Sequence, residues 1–265
     1  MNVMVMSGTS DAVKIITYLH AIDDTMITAT TTTSYGAKLA SDAGADEVKV
    51  GGLGLEAMLE LIQQKKIDLL LDATHPFASQ ATETAINAAN SAEIEYLRFE
   101  RPAIPHQTIK NLHVEDFREA SKKASELISK TKNGRIMHLA GVSTLPQILE
   151  KISPHSIIVR VLPAVYSIKK CLELGIPSEN IVAMQGTFSS EFNRVLMAEF
   201  NVDVVITKES GESGGTLSKL EAASQLEIPV VMVKRPEIKQ LNKYKVYSDI
   251  SELITEVKKF KSNMG

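Results

Sequence analysis

Glycine and hydroxyl residues near the start of the sequence form a short segment that is suited to binding a phosphate. Gly8-Thr9-Ser10-Asp11 follows an apolar run and precedes a helical pattern. Backbone N–H groups at the start of a helix readily cradle a pyrophosphate, so Gly8, Thr9 and Ser10 are candidate cofactor-binding residues. The segment lacks the full G-x-G-x-x-G fingerprint, and ordinary capping of the helix by Ser10 is the alternative explanation.

A second run of hydroxyl residues, Thr31-Thr32-Thr33-Ser34-Tyr35, follows the second apolar run. Dinucleotide-binding folds usually place an Asp or Glu there to hold the ribose 2′-hydroxyl. Thr33, Ser34 and Tyr35 are therefore candidate contacts for the adenosine ribose, and such hydroxyls could also hydrogen-bond a 2′-phosphate. No Arg lies nearby in sequence, so NADPH and NADH both stay open, and a β-branched strand end explains the threonines equally well. Gly51, after the third apolar run, is a further candidate cofactor contact.

The segment Asp72-Ala73-Thr74-His75-Pro76 follows a strongly apolar run. Pro favours the first position of a helix, which would make His75 the N-cap, where Ser, Thr, Asp or Asn is preferred. We interpret His75 as an orienting ligand contact that the positive helix end keeps neutral, with plain capping as the alternative and no proton donor assigned. Asp72 and Thr74 are candidate cofactor contacts, although Asp72 could equally tie the loop together.

Cations also gather at the ends of predicted strands. The loop from Lys208 to Gly215, with Lys219 one helical turn later, suits a carboxylate or phosphate, because its glycines leave backbone N–H groups uncovered. A glycine turn with a solvated Lys219 is the alternative. Arg98 and Arg101 flank Glu100, a pattern that indicates either carboxylate recognition or a solvated charge cluster. The histidines show no metal-ligand spacing, so we predict no protein-bound metal.

The elements that must position these residues alternate between short apolar runs and helical patterns, which is typical of βαβ units and parallel sheets. Predicted strands are Val3–Met6, Met26–Thr30, Glu47–Val50, Asp68–Leu71, Ile94–Phe99, Arg135–Leu139, Ile157–Val161, Ile181–Met184, Val202–Thr207 and Val230–Val233. The Pro-containing segment Arg101–Leu112 reads as the domain junction. The prediction is an α/β fold with two Rossmann-like, doubly wound domains, 1–101 and 102–265, facing each other across a cleft. A C-terminal helix at about 249–261 is assigned to the second domain.

Composition bounds the class of protein. The 265 residues carry a formal net charge of −3, which argues against nucleic acid as the main partner because counterion release needs a basic face. A single cysteine, Cys171, excludes a disulfide framework and a Cys-rich zinc site. No apolar run approaches the roughly 20 residues that span a bilayer, so we expect no membrane partner. Without a signal-peptide pattern, a reducing cytoplasm is the expected location.

Several motifs together resemble precorrin-6A reductases. They are Asp72-Ala73-Thr74-His75-Pro76-Phe77-Ala78, Leu97-Arg98-Phe99-Glu100-Arg101-Pro102, Arg160-Val161-Leu162-Pro163, Gln185-Gly186-Thr187-Phe188-Ser189, Thr207-Lys208-Glu209-Ser210-Gly211 with Gly214-Gly215, and Val230-Val231-Met232-Val233-Lys234-Arg235-Pro236. The resemblance runs from Gly8 to Pro236, nearly the whole chain.

The resemblance implies an enzyme of cobalamin biosynthesis that reduces one double bond of precorrin-6A, metal-free or cobalt-bearing, by hydride transfer from NADPH or NADH. It implies that the first domain binds NAD(P)H and the second binds the tetrapyrrole. The expected substrate-binding residues, which include the cations suited to carboxylates, are Arg98, Arg101, Ser143, Gln185, Ser189, Lys208, Ser210, Gly214, Gly215 and Lys219. The oligomeric state is left open.

Three other functions fit two facing α/β domains. They are a nucleotide-sugar glycosyltransferase, a non-redox enzyme similar to uroporphyrinogen synthase, and a non-catalytic module that closes on an anion. Binding of NAD(P)H with consumption of a coloured tetrapyrrole would separate the reductase from all three.

Overall fold

The computed structural model describes residues 1–103, 111–211 and 214–264, which form twelve strands and ten α-helices. The strands are β1 (Asn2–Met6), β2 (Met26–Thr31), β3 (Glu47–Val50), β4 (Leu69–Asp72), β5 (Glu95–Phe99), β6 (Asn111–Val114), β7 (Ile136–His138), β8 (Ile157–Val161), β9 (Ile181–Ala183), β10 (Val204–Lys208), β11 (Val230–Val233) and β12 (Val246–Tyr247). The helices are α1 (Ser10–His20), α2 (Ser34–Asp42), α3 (Leu55–Lys65), α4 (Ser79–Ser91), α5 (Phe117–Ile128), α6 (Leu145–Ile148), α7 (Val165–Glu173), α8 (Ser190–Glu199), α9 (Thr216–Gln225) and α10 (Ile250–Met264).

The chain divides into two compact units, each built on one sheet of six parallel strands. The first unit contains Met1–Pro102 and Glu237–Gly265, and its strand order is β12-β5-β4-β1-β2-β3. The second contains Ala103–Pro236, and its order is β6-β11-β10-β7-β8-β9. If β7 to β11 are renumbered 1 to 5, the second sheet has the same order, 5-4-1-2-3, as β5-β4-β1-β2-β3 of the first sheet. This is the strand order of a doubly wound sheet, and each sheet adds one more strand, β12 or β6, at its edge. The predicted α/β class with two Rossmann-like sheets is therefore confirmed.

The first sheet is apolar on both faces, as a parallel sheet covered by helices must be. Along β1, Val3 and Val5 join the core with α1 and α10, whereas Met4 and Met6 join the core with α3 and α4. The alternation follows from the two-residue period of a strand. Because β1, β2, β3 and β4 are parallel, their carboxyl ends lie at the same edge of the sheet, where the loops to the following helices begin.

The predicted assignment of the C-terminal segment to the second domain is wrong. β12 pairs in parallel with β5, with Val246 opposite Arg98 and Tyr247 opposite Phe99. Helix α10 then buries Leu253 among the residues that α1 also covers. The segment 237–265 therefore completes the first unit, because its apolar stripe matches the open face of that sheet.

Two short strands were absent from the prediction. β6 begins at Asn111, inside the predicted junction Arg101–Leu112. Residues 104–110 of that junction, which include His106, lie outside the described part of the chain. β12 has only two residues. Among the described residues, no helix has the length and apolarity to cross a bilayer. Those same residues contain no group of three or more His, Cys, Asp or Glu placed to hold a metal ion.

Candidate functional site

A cavity of about 370 Å³ opens at the carboxyl edge of the first sheet. We call it the glycine cavity, and its walls come from the ends of β1 to β4 and from the starts of α3 and α4. The lining residues are Met6, Ser7, Thr30, Thr31, Thr32, Gly51, Gly52, Leu53, Gly54, Met58, Thr74, Gln80, Ala81 and Thr84. The volume lies within the range of small-molecule sites, and so does the mixture of apolar walls with a few polar groups.

The glycines at this edge leave the backbone uncovered. Gly8 and Gly51 have φ of +113° and +122°, a conformation that residues with a side chain rarely adopt. Apart from the glycine itself and its two neighbours in the chain, a Cβ placed on Gly8, Gly51, Gly52 or Gly54 would have no heavy atom within 4 Å. The backbone is therefore open to a ligand at all four positions, so a phosphate-bearing cofactor can approach it closely.

The N-terminus of α1 is capped by Thr9, not by Ser10 as the alternative explanation assumed. The Thr9 hydroxyl accepts from the Ala12 N–H at 3.0 Å and donates to the Ala73 carbonyl at 2.9 Å. Ser10 is the first residue of the helix and is exposed. Thr9 thus ties the loop after β1 to the loop after β4, and Gly8 and Ser10 are left facing solvent.

The hydroxyl residues after β2 divide between two roles. Thr33 caps α2, because its hydroxyl accepts from the Gly36 N–H at 3.0 Å, and Ser34 and Tyr35 are exposed on the first turn of α2. The cavity itself is lined by their neighbours Thr30, Thr31 and Thr32. The structure therefore places the predicted ribose contacts beside the glycine cavity and adds three threonines to its wall.

Asp72, predicted as a cofactor contact, is fully buried and bonded within the protein. Its Oδ1 accepts from the Thr74 N–H at 2.9 Å, the Thr74 hydroxyl at 2.7 Å and Arg98 Nη1 at 2.7 Å, and its Oδ2 accepts from the Tyr96 hydroxyl at 3.1 Å. Burial, reinforced by the charge of Asp72, raises the pKa of Tyr96 above its usual value, so Tyr96 stays a hydrogen-bond donor. The alternative that Asp72 ties the loop together fits this geometry, and Thr74 is the member that reaches the cavity.

Arg98 and Arg101, predicted as substrate contacts, have partners inside the first unit. Arg98 is completely buried and bridges Asp72 and Glu100, with an Nη2–Oε2 distance of 3.1 Å to Glu100. Burial is the largest single influence and would lower the pKa of Arg98, but Asp72, Tyr96 and Glu100 together outweigh it and raise that pKa. Arg101 pairs with Asp11 at 2.7 Å. A guanidinium with no exposed surface does not contact a ligand, so the substrate-binding assignment of Arg98 is wrong.

His75 does not cap a helix as predicted. Helix α4 begins at Ser79 with Ala78 at its N-cap, because residues 76–78 form a turn before the helix. The His75 Nδ1 accepts from the Phe77 N–H at 3.1 Å, an arrangement that needs a lone pair on Nδ1 and leaves Nε2 to carry the proton. His75 is half-buried and directly follows Thr74, which lines the glycine cavity.

In the second unit, Lys208 at the end of β10 and Lys219 in α9 lie near Arg160 of β8. We call these three residues the cation cluster. Burial, together with the charges of Arg160 and Lys208, lowers the pKa of Lys219 to about 7, and burial lowers the pKa of Lys208. Lys219 Nζ donates to the Gly214 carbonyl at 3.2 Å. Crowded, desolvated cations strongly favour an incoming anion.

Arg160 is the functional candidate that the sequence-based assignment of site residues missed. Its Nη1 donates to the Asn193 amide oxygen at 2.7 Å, and its guanidinium lies 5.0 Å from the centre of the Phe188 ring. Burial lowers its pKa to about 10. Among the described residues, no carboxylate pairs with Arg160. The available signal was a lone cation inside the otherwise apolar strand Ile157–Val161.

The loop after β10 is organised by its own hydroxyls. Ser210 is buried, and its backbone N–H and hydroxyl both lie within hydrogen-bond distance of the Thr216 hydroxyl, at 3.2 and 3.0 Å. Gly215 has φ of +69° and stands directly before α9, whose N-terminus no side chain caps. Ser210 therefore holds the shape of the loop, and the Gly214 and Thr216 N–H groups both donate to the Gly211 carbonyl, at 3.2 and 3.4 Å. Glu212 and Ser213 lie outside the described residues.

Three predicted substrate contacts lie in exposed loops of the second unit. Ser143 is in a short 3₁₀ turn after β7, and Gln185 follows β9. The Ser189 hydroxyl caps α8 by accepting from the Phe192 N–H at 3.1 Å. All three come after the carboxyl ends of their strands, as predicted, and their contact with substrate stays a prediction.

Comparisons with known proteins identify similar chains. Residues 2–258 match the model of the family described as precorrin-6x reductase CbiJ/CobK. The cobalt-precorrin-6A reductase of Methanothermobacter thermautotrophicus is 46% identical, over 100% of this chain and 86% of that protein. That of Methanocaldococcus jannaschii is 39% identical, over 98% of this chain and all of that protein. A solved structure of CobK precorrin-6A reductase superposes with a TM-score of 0.73 at 18% identity, covering 98% and 97% of the two chains, and this likeness supports the fold.

Proposed function

This chain belongs to the precorrin-6x reductase family, and from that premise we propose that it reduces cobalt-precorrin-6A or its metal-free form with NADPH or NADH. In this proposal the nicotinamide nucleotide binds to the first unit and the tetrapyrrole to the second. The observation that carries the proposal is the glycine cavity, which lies at the carboxyl ends of β1 to β4, where doubly wound sheets bind nucleotides.

The residues of the first unit fit a dinucleotide. Gly8 and Gly51 combine positive φ with open space around the backbone, as close approach of a pyrophosphate requires. Gly8, Thr9 and Ser10 would hold the pyrophosphate. Thr32 and its neighbours through Tyr35 would hold the adenosine ribose, and Gly51 with the remaining cavity walls would surround the adenine.

The cation cluster of the second unit supports the tetrapyrrole assignment. A macrocycle edged with carboxylates needs charge-assisted hydrogen bonds, and Arg160, Lys208 and Lys219 supply them from a desolvated setting. No side chain caps the start of α9 after Gly215, so the positive end of this helix adds a potential that favours an anion. The Phe188 ring lies 5.0 Å from the Arg160 guanidinium and stacks on the Phe192 ring at 4.7 Å between centroids, so it helps to hold Arg160 in place.

Bound NADPH or NADH supplies the hydride for the reduction. The protein binds both reactants, and their orientation is the main catalytic contribution we assign to it. His75, whose Nδ1 accepts from the Phe77 N–H, follows the cavity residue Thr74, and we assign it an orienting role toward one of the reactants. Thr74 defines the adjacent wall of the cavity.

An anaerobic assay with metal-free and cobalt-loaded precorrin-6A, each with NADH and NADPH, tests the proposal. We expect stoichiometric loss of nicotinamide absorbance with a change in the tetrapyrrole spectrum. Quenching or enhancement of nicotinamide fluorescence measures binding separately. A protein that binds no nicotinamide nucleotide, or that binds a nucleotide sugar instead, would contradict the proposal.

A further inference from the structure

A network of buried polar and charged side chains lies beneath the loop that follows β4. Arg98, with no exposed surface, donates to Asp72 at 2.7 Å, to the Thr74 hydroxyl at 3.0 Å and to Glu100 at 3.1 Å. Tyr96 donates to the second oxygen of Asp72 at 3.1 Å. Five residues, which belong to β4, to β5 and to the segments that directly follow these two strands, are thereby joined in the first unit.

Stability alone does not account for this network. A buried ion pair can often be replaced by apolar side chains of similar size without loss of stability. What the guanidinium adds is direction, because its fork of N–H groups fixes several acceptors at set angles. Arg98 fixes the Asp72 carboxylate and the Thr74 hydroxyl at the same time, and Thr74 lines the glycine cavity.

The same loop also determines where α1 begins. The Ala73 N–H donates to the Met6 carbonyl at 3.1 Å, and the Ala73 carbonyl accepts from the Thr9 hydroxyl at 2.9 Å. Thr9 in turn caps α1 by accepting from Ala12. Hydrogen bonds and the backbone of residues 72–74 therefore connect Arg98, through Asp72, to Thr9 in the loop that we propose binds phosphate. Arg98 itself is fully buried and therefore out of reach of any ligand.

We propose that Arg98 is a positioning residue for the nicotinamide-nucleotide site. Through Asp72 it holds Thr74 in the wall of the glycine cavity, and through Ala73 and Thr9 it sets the start of α1. The inference rests on the proposed function, since it assigns the nucleotide to this site. It predicts that Arg98 controls nucleotide affinity without touching the nucleotide.

The test measures the Kd of NADPH and NADH by nicotinamide fluorescence, alongside thermal unfolding. Arg98→Met should raise the Kd at least tenfold, which corresponds to about 1.4 kcal/mol. Arg98→Lys keeps the charge but loses the forked N–H groups of the guanidinium, so its Kd should lie between those of Arg98→Met and wild type. Leu253→Ala, a core substitution in α10, is the control for stability, because Leu253 is buried away from the cavity. Its Tm should fall while its Kd stays at the wild-type value.

A double-mutant cycle separates positioning from a purely structural role. Thr9→Val removes the bridge to Ala73 and should by itself raise the Kd of the nucleotide. Because Arg98 and Thr9 act on the same loop without touching each other, Arg98→Met combined with Thr9→Val should raise the Kd by less than the product of the single effects. If Arg98→Met does not fold, Arg98→Lys takes its place in the cycle.

The inference is overturned if wild type binds nucleotide and the Arg98 variants bind it as tightly as Leu253→Ala does. Effects of Arg98 and Thr9 that multiply independently would overturn it as well. A wild-type protein that binds neither NADPH nor NADH is a different result, since it contradicts the proposed function and removes the premise of the inference.

Discussion

Lys219→Met tests the cation cluster most directly. Lys219 is 8% exposed, and its ammonium donates to the Gly214 carbonyl. Burial first, and then the charges of Arg160 and Lys208, bring its pKa to about 7. The ammonium is therefore half-populated near neutral pH, and a bound carboxylate would stabilise it and raise its pKa.

The sign of the stability effect follows from this pKa. A lysine in the unfolded chain titrates near 10.4, so between about pH 7 and pH 10 the unfolded state binds more protons than the folded state. The free energy of unfolding contributed by Lys219 therefore rises with pH across that window and is lowest below pH 7. Removing the buried charge with Lys219→Met should stabilise the protein at pH 6 by roughly 2–4 kcal/mol, and by less at pH 9.

Tetrapyrrole binding should follow the opposite trend with pH. A substrate carboxylate needs the charged form of Lys219, whose population falls about fivefold from pH 7 to pH 8 and approaches a tenfold fall for each further pH unit. The substrate Kd, or KM where chemistry is slow, should therefore rise about fivefold between pH 7 and pH 8 in wild type, and more steeply at higher pH. Lys219→Met should bind more weakly at pH 6 and show no such slope. Lys169→Met, at an exposed position on α7, is the matched control.

Two results would refute the reasoning. One is a wild-type substrate affinity that stays constant from pH 6.5 to pH 8.5. The other is a Lys219→Met variant that keeps the wild-type slope, because another group would then be responsible for the titration.

Further substitutions test which reactant each of the two units binds. Gly8→Val places a side chain at φ of +113° in the open space reserved for the pyrophosphate, so NAD(P)H binding measured by fluorescence should weaken tenfold or more, on the order of 1.4 kcal/mol. His75→Ala should lower kcat while Tm stays near wild type; a large loss of Tm with normal activity per folded molecule would indicate a structural role instead. Lys208→Ala should raise the KM of the tetrapyrrole by roughly 10–100-fold and barely change that of NAD(P)H; weakened nucleotide binding would mean that the units are assigned in reverse. Arg160→Met should likewise weaken tetrapyrrole binding alone, measured by titration of the tetrapyrrole spectrum.

The strands of both sheets were predictable where burial on two faces makes them uniformly apolar. Val230–Val233 was predicted with the bounds that the structure shows, and so was Ile157–Val161, which is apolar apart from Arg160. Glu47–Val50 was also predicted with its observed bounds, although this edge strand is largely exposed and alternates charged with apolar residues. β6 and β12 were missed because each is a short edge strand whose existence depends on pairing with a distant segment. Local periodicity carries no signal of such pairing.

The candidate site was predictable in its loops and less so in its cations. Strand ends pointed to Gly8, Gly51 and Lys208, because topology alone brings carboxyl ends together. For a charged residue within a strand, the sequence does not indicate which groups the side chain contacts. Arg98 and Arg160 both occur within buried strands, yet Arg98 meets two carboxylates and Arg160 meets an amide and an aromatic ring. Only the tertiary structure shows which of the two has an anion partner already.

The return of residues 237–265 to the first unit has a consequence for synthesis on the ribosome. The second unit, 103–236, is an uninterrupted stretch of chain, whereas the first lacks β12 and α10 until residues 237–265 are translated. Before then, β5 presents an open edge, and the sheet face that α10 covers with Leu253, Ile254 and Val257 is bare. We therefore expect the later-synthesised unit to complete its folding first, and a fragment that stops near residue 102 to aggregate.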